Sequence, residues 1–167
     1  MSGLLYQPSD RIASSRIARP SSMSCSVTMY GGSSRMTVVA VRLISRPRSS
    51  AALTSGAASG MASYLNIVPA NGCIEIGHIW FAPPLQKTKA ATQAIFLMIR
   101  HAFGDLACRR VEWKCDSLNE ASKRAARRFG FSYEGTFRQH MIIKGRNRDT
   151  AWFSILDREW PAVRATF

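Results

Sequence analysis

Cys73-Ile-Glu-Ile-Gly-His-Ile-Trp-Phe81 runs through a short Pro-containing link into Gln86-Lys-Thr-Lys-Ala-Ala91. The first segment is an apolar, strand-like run and the second a polar loop. The pattern then becomes helical: over Ala90–Phe103, the residues Ala91, Ala94, Ile95, Met98 and Ala102 share one face. A second strand follows in Arg109–Cys115, where Val111, Trp113 and Cys115 alternate with Arg110, Glu112 and Lys114. Asn119-Glu-Ala-Ser122 and Arg128-Phe-Gly-Phe131 close the unit. Strand, loop, helix, strand, helix is a layout suited to a phosphorylated ligand. A helix start offers unpaired N–H groups and the positive end of the helix dipole to an anion.

Working outward, Met61–Ile67 reads as a strand and Pro69-Ala-Asn-Gly72 as a turn, so the strand pairs antiparallel with Cys73–Phe81. Asn119–Phe129 places Ala121, Ala125 and Phe129 at helical spacing, and Gly130 is placed to end that helix in a left-handed cap. Tyr133–Ile143 and Thr150–Leu156 read as two more strands, joined by the turn-rich Lys144-Gly-Arg-Asn147. No internal repeat is visible.

A chain of 167 residues, 46% hydrophobic and 20% charged, has the composition of one globular domain. It contains no apolar run near the ~20 residues a membrane helix needs. The net charge of +13 suits an anionic partner, and equally serves solubility. Cys25, Cys73, Cys108 and Cys115 lack C-x-x-C spacing, and His78, His101 and His140 form no ligand-like cluster, so no metal is expected. Reduced thiols and a cytoplasmic location are the default for such a chain.

The chain changes character near Gly60. The first sixty residues hold 15 Ser, 7 Arg, no Lys and one acid, Asp10. Their one clear apolar run, Met36–Ile44, reads as a strand, and Arg19-Pro20, Gly31-Gly32 and Arg46-Pro47 break any helix. Residues 1–57 are therefore set apart as a Ser/Arg-rich, poorly ordered segment, and 58–167 as the folded domain. Three readings fit the segment: an organelle leader, a disordered basic arm, or a stretch foreign to the rest of the protein through a misassigned start.

Residue chemistry singles out a few positions. Gln86, Lys87, Thr88, Lys89, Ala90 and Ala91 could present amides and ammonium groups to a diphosphate, or could be an ordinary helix start with solvated lysines. Glu75, a carboxylate on a central strand, could accept a proton from an ammonium substrate, with Glu112 as second choice; either could be a plain surface-paired glutamate. Asn119 is a natural N-cap, with Ser122 at N3. Lys123, Arg124, Arg127 and Arg128 read as a solvated helix face.

Gln86-Lys-Thr-Lys-Ala-Ala91 is similar to the (Gln/Arg)-x-x-Gly-x-(Gly/Ala) loop of the GCN5-related N-acetyltransferases, with Lys89 in the glycine position. Together with Cys73–Phe81 and Asn119-x-x-Ser122, it makes residues 58–161 resemble the RimJ/RimL-like branch of that family. The resemblance implies an α/β (α+β) fold with a mixed, mostly antiparallel sheet flanked by helices, its N-terminal part atypical or missing. It implies acetyl-CoA as donor, its pantetheine arm lying along His78, Ile79, Trp80 and Phe81, and Asn119 and Ser122 near the arm and the thioester. The acceptor would be a primary amine, either a protein N-terminus or a small molecule. Glu75 would be the base, Ser122 or water would serve where many relatives have a tyrosine, and Arg138, His140 and Asp149 would read the acceptor. A monomer or homodimer fits. Two other readings stay open: a non-catalytic relic of the fold, and a basic nucleic-acid-binding protein. The latter is disfavoured because Trp80, Phe81, Trp113 and Trp152 fall on core strands.

Overall fold

A computed structural model describes two strands by their backbone, Met23–Tyr30 and Met36–Ser45, and residues 58–167, with side chains from Gly60 onward. The remainder of the segment 1–57 lies outside the described residues. The strands are β1 (Met23–Tyr30), β2 (Met36–Ser45), β3 (Ala58–Val68), β4 (Cys73–Phe81), β5 (Arg110–Asp116), β6 (Ser132–Ile143) and β7 (Arg146–Leu156). They form one sheet in the order β1-β2-β3-β4-β5-β7-β6. Every neighbouring pair is antiparallel except β4 and β5, which are parallel. The helices are α1 (Lys89–Gly104), which makes the β4-to-β5 crossover, α2 (Glu120–Arg128) and α3 (Trp160–Arg164). The strand expected over Met36–Ile44 is β2, whereas β1 was not expected, although Met23, Cys25, Val27 and Met29 alternate there with Ser24, Ser26, Thr28 and Tyr30.

Strand alternation divides the central sheet into two faces. Ile74, Ile76, Val111, Trp113, Ala151, Phe153 and Ile155 are buried and form one core with Ile95, Met98, Ile99 and Ala102 of α1, while Ala90, Ala91 and Ala94 pack with Leu85 in a second, smaller cluster. All five α1 residues assigned from helical spacing are buried. Tyr64 on β3 donates its hydroxyl to the Met98 carbonyl at 2.7 Å, tying sheet to helix, and burial pushes its pKa well up. Trp160 on α3 stacks on Phe103 and leans on Phe96. The opposite face carries Glu75, Glu112, Lys114 and Ser154, and no described helix covers it.

Helix α2 differs from its expected orientation. Ala121 is exposed and Ala126 is fully buried, so the buried face is rotated toward Ser122 and Ala126. The indole N–H of Trp113 donates to Ser122 Oγ at 3.0 Å and draws that side of the helix inward. The end of α2 is as expected: Gly130 N–H bonds to Arg127 O and Phe131 N–H to Ala126 O, the two bonds of a Schellman cap, with Gly130 at φ +84°. A Cβ there would also lie 2.5 Å from Val163 Cγ1. Gly130→Ala should therefore lose about 2 kcal/mol or more from left-handed strain plus collision, read as a lowered urea midpoint. An unchanged midpoint would contradict this account of the cap.

Candidate active site

The parallel pairing of β4 with β5 is short. Only Cys73, Ile74 and Glu75 are matched with Arg110, Val111 and Glu112. Beyond Glu75 the strands part, because β4 is bulged. Gly77 faces Ser63 and Trp80 faces Met61, so β4 uses one more residue than β3 over that interval. His78 sits at φ +47° within it. Such a bulge bends the strand and sharpens its twist. The gap is a cavity of about 330 Å³, lined by residues 76–79 of β4 and 113–116 of β5, with Asn119, Ser122, Ile143 and Arg148. Both α1 and α2 begin after these strands, so their N-termini lie at the end of the sheet where the strands separate.

The loop before α1 is built as a helix start. Thr88 is the N-cap, its Oγ1 accepting from Ala91 N–H and donating to Leu85 O. Gln86 is anchored by its side-chain amide to Phe81 O at 2.9 Å. The N–H groups of Lys87, Lys89 and Ala90 donate to no described residue. Lys89, in the pattern's glycine position, carries no left-handed strain: it is the first helical residue, and the left-handed residue is Lys87, at φ +59°. Arg128, from the far end of α2, donates to Thr92 Oγ1 in the first turn of α1, so this cation stands at the helix start and not on a purely solvated face.

Of the four β4 residues expected along a cofactor arm, His78 and Ile79 line the cavity. Trp80 and Phe81 do not. Trp80 is 58% exposed opposite Met61, and Phe81 packs on Leu85 and the α1 alanines, because the bulge changes the alternation beyond His78. Asn119 caps α2, its Oδ1 accepting from Ser122 N–H. Ser122 Oγ accepts the Trp113 indole proton and lies within hydrogen-bond reach of the buried Cys115 thiol.

Glu75 is buried at the fork, 6% exposed. Its Oε2 accepts from Asn66 Nδ2 at 2.6 Å and from Lys114 Nζ at 3.0 Å. Its Oε1 lies on the Gly77 side, 3.5 Å from where a Cβ on that residue would be, and accepts no hydrogen bond from a described residue. Lys114 Nζ also pairs with Glu112 Oε2 at 2.8 Å and sits 4.0 Å from the Trp152 ring centre. Arg110 joins Glu112 to Glu134 and bonds both Glu134 oxygens. Burial pushes the Glu112 carboxyl up, but its hydrogen bonds to Lys114 and Arg110 outweigh this and leave it below the usual range. The Arg110 hydrogen bonds likewise hold Glu134 low.

The expected acceptor residues lie together on β6 and β7. Between Phe137 and Met141, β6 carries extra residues, with Gln139 at φ +50°. Asp149 Oδ1 accepts from Gln139 N–H there, while Arg138 is exposed beside it. His140 Nδ1 is 3.0 Å from Thr150 Oγ1, and its ring meets Phe137 and Trp152. Trp152 thus links this group to Lys114. None of the three lines the cavity; Arg148 does. Asn66, Lys114, Trp152 and Arg148 are site residues that sequence reading missed. Lys114 had a signal, since it shares the polar side of β5 with Arg110 and Glu112. Asn66 carries the weaker mark of an asparagine at a strand end, which tolerates its φ of +44°.

Comparisons with known proteins agree with this geometry. The model of the acetyltransferase (GNAT) domain matches residues 31–132. The Bacillus subtilis protein called "Putative ribosomal N-acetyltransferase YdaF" is 33% identical over 108 residues, 65% of this chain and 58% of that protein. A GCN5-related N-acetyltransferase structure from Brucella melitensis is 47% identical over 78% of this chain and 55% of its own, with a TM-score of 0.69. A structure from Chromobacterium violaceum, described as of "probable acetyltransferases (GNAT family)", is 32% identical, covers 96% of both chains and has a TM-score of 0.71. The chain belongs to the GNAT acetyltransferase family. It spans less than two thirds of the length of the Bacillus and Brucella relatives. The family match begins at residue 31, inside the segment that sequence reading set apart.

Two outcomes follow from the local physics. Glu112 and Glu134 titrate below their unfolded values, so their contribution to stability is present above the ordinary carboxylate pKa of ~4.3 and is lost as pH falls through the folded values. Glu134→Gln should narrow the difference between urea midpoints measured at neutral pH and in acid. At the loop, Lys87→Gly should raise stability by about 0.5 kcal/mol, relief of left-handed strain exceeding the added chain entropy. Lys89→Gly should not raise it, and thermal melts of the two variants check the assignment.

Proposed function

We propose that this chain is an N-acetyltransferase, moving an acetyl group from acetyl-CoA to a primary amine by direct attack. The observation that carries the reading is the parting of β4 and β5 after three matched residues beside the start of α1. It leaves the β5-facing edge of β4 without a strand partner beyond Glu75, along a cavity that His78 and Ile79 line. The pantetheine arm is extended and carries amides, so it can bond to such an edge as a peptide strand would. The three unengaged N–H groups at Lys87, Lys89 and Ala90, with the two lysine ammonium groups, suit the diphosphate.

On the uncovered face, Glu75 is held by Asn66 and Lys114 through one oxygen and offers the other to a proton from the acceptor ammonium. Holding donor and acceptor in line supplies most of the rate, with no covalent enzyme intermediate. The departing thiolate takes its proton from Ser122 or from water. Arg138, His140 and Asp149 flank the acceptor. A protein N-terminus is the acceptor we favour, because the Bacillus relative YdaF is called a "Putative ribosomal N-acetyltransferase", and a cytoplasmic location goes with it.

Calorimetry with acetyl-CoA tests the donor site, and release of free thiol over a panel of N-terminal peptides and small amines tests the reaction. Glu75→Gln should keep donor binding and lose about 100-fold in kcat, in the range of one general base. Folded protein that does not bind acetyl-CoA would refute the reading, and a variant as fast as wild type across neutral pH would remove Glu75 as the base.

A further inference from the structure

Lys114 is the one lysine of the chain's five whose residue lines the cavity between the parted strands. Its ammonium is held beside the fork by three groups: Glu75 Oε2 at 3.0 Å, Glu112 Oε2 at 2.8 Å and the Trp152 ring at 4.0 Å. Two carboxylates and an aromatic face are what a site for a primary ammonium would offer. Among the described residues, Lys87, Lys89, Lys123 and Lys144 are held by no comparable set, and Lys123 pairs with Glu120 alone. The Lys114 side chain is 14% exposed, so it is mostly withdrawn from water without being sealed off. Glu75, the proposed base, is thus already in contact with an amine of the protein itself.

We propose that Lys114 is a site of self-acetylation, its side-chain nitrogen serving as acceptor when acetyl-CoA is bound and no other amine is present. This rests on the acetyl-transfer reading above. The ammonium passes one proton to Glu75, and the neutral Nζ attacks the thioester carbonyl carbon. A nitrogen–carbon bond forms, and the carbon–sulfur bond breaks with its electron pair leaving on sulfur. The second nitrogen proton reaches the thiolate, so the products are acetyl-Lys114, free CoA and one proton, which Glu75 returns to solvent. Acetylation removes the cation that Glu75 and Glu112 share. The two carboxylates then face each other without it, and Glu75 Oε2 keeps only the Asn66 amide. The modified enzyme therefore has an altered base, which makes Lys114 a control point for the same site.

The test needs no knowledge of the natural acceptor. Full-length protein is incubated with acetyl-CoA alone and followed by intact mass and by peptide mapping of all five lysines. The expected result is one acetyl group per chain on Lys114. Its first-order rate should be independent of protein concentration, should saturate with acetyl-CoA, and should be about 100-fold slower in Glu75→Gln. Acetylation spread over Lys87, Lys89, Lys123 and Lys144 with Lys114 bare would overturn the inference. So would a bare Lys114 in protein that binds acetyl-CoA and acetylates an added amine, and there the acetyl-transfer reading stands. Absence of acetyl-CoA binding by calorimetry would defeat both. Wild-type mapping decides the point even if Lys114→Arg, the companion variant, does not fold.

Discussion

The bulge in β4 is the constraint from which the site follows. Two parallel strands that stayed paired along their length would leave no space for a ligand between them and no free strand edge. Here the pairing ends at Glu75, and His78, a non-glycine residue, takes a left-handed conformation to let the strand turn. That conformation costs on the order of 1–2 kcal/mol, and the hydrogen bonds of a longer β4–β5 ladder are also forgone. The sheet tolerates this because β4 remains paired with β3 on its other side and β5 is matched to β7 along its whole length, from Arg110–Leu156 to Asp116–Thr150. The fork is therefore held open from outside by two antiparallel ladders.

The same strand alternation gives the fork two chemically different sides. On the helix side Trp113, Ser122 and Asn119 form a lattice of fixed polar atoms beside the core. On the other side lies the chain of charges Glu134–Arg110–Glu112–Lys114–Glu75. Partly buried ion pairs of this kind add little net stability, since desolvation offsets most of the attraction. Their effect is on geometry. With Asn66 and Lys114 both on one oxygen of Glu75, the carboxylate cannot rotate without breaking two bonds. A strained asparagine and a lysine shared between two acids make sense as devices for aiming a carboxylate, a role that stability alone does not explain.

Much of this was legible in the sequence, and what was not has a common cause. Period-2 and period-3.6 patterns marked β3, β4, β5, β7 and α1, because in each a buried face repeats along a regular element; β6 is exposed along nearly its whole length and has no such face, and the left-handed end of α2 was marked by Gly130. The fork itself left no such trace. Trp80 and Phe81 were expected along the cofactor arm from the family resemblance, and beyond the bulge at His78 neither lines the cavity. Ala121 was assigned to the buried face by spacing alone, whereas the Trp113–Ser122 hydrogen bond, a tertiary contact, sets the roll of α2. The network around Glu75 joins residues from β3, β4 and β5, and one chain read in isolation does not reveal which polar positions on separate strands will meet.

The departure from the family loop pattern at Lys89 is explained by where the backbone turns. A glycine is required only where φ must be positive or where a Cβ would collide. Lys89 is the first residue of α1, right-handed and exposed, so a side chain there meets neither condition. The left-handed turn is made earlier, at Lys87, and Thr88 then closes the helix by bonding Ala91 N–H. The amides of Lys89 and Ala90 stay unengaged whichever residue occupies the pattern's glycine position, because main-chain donors do not depend on the side chain. What the substitution adds is a second ammonium group beside Lys87, at a helix end whose dipole already favours an anion. The substitution thus leaves the unengaged amides of the helix start in place and adds positive charge beside them.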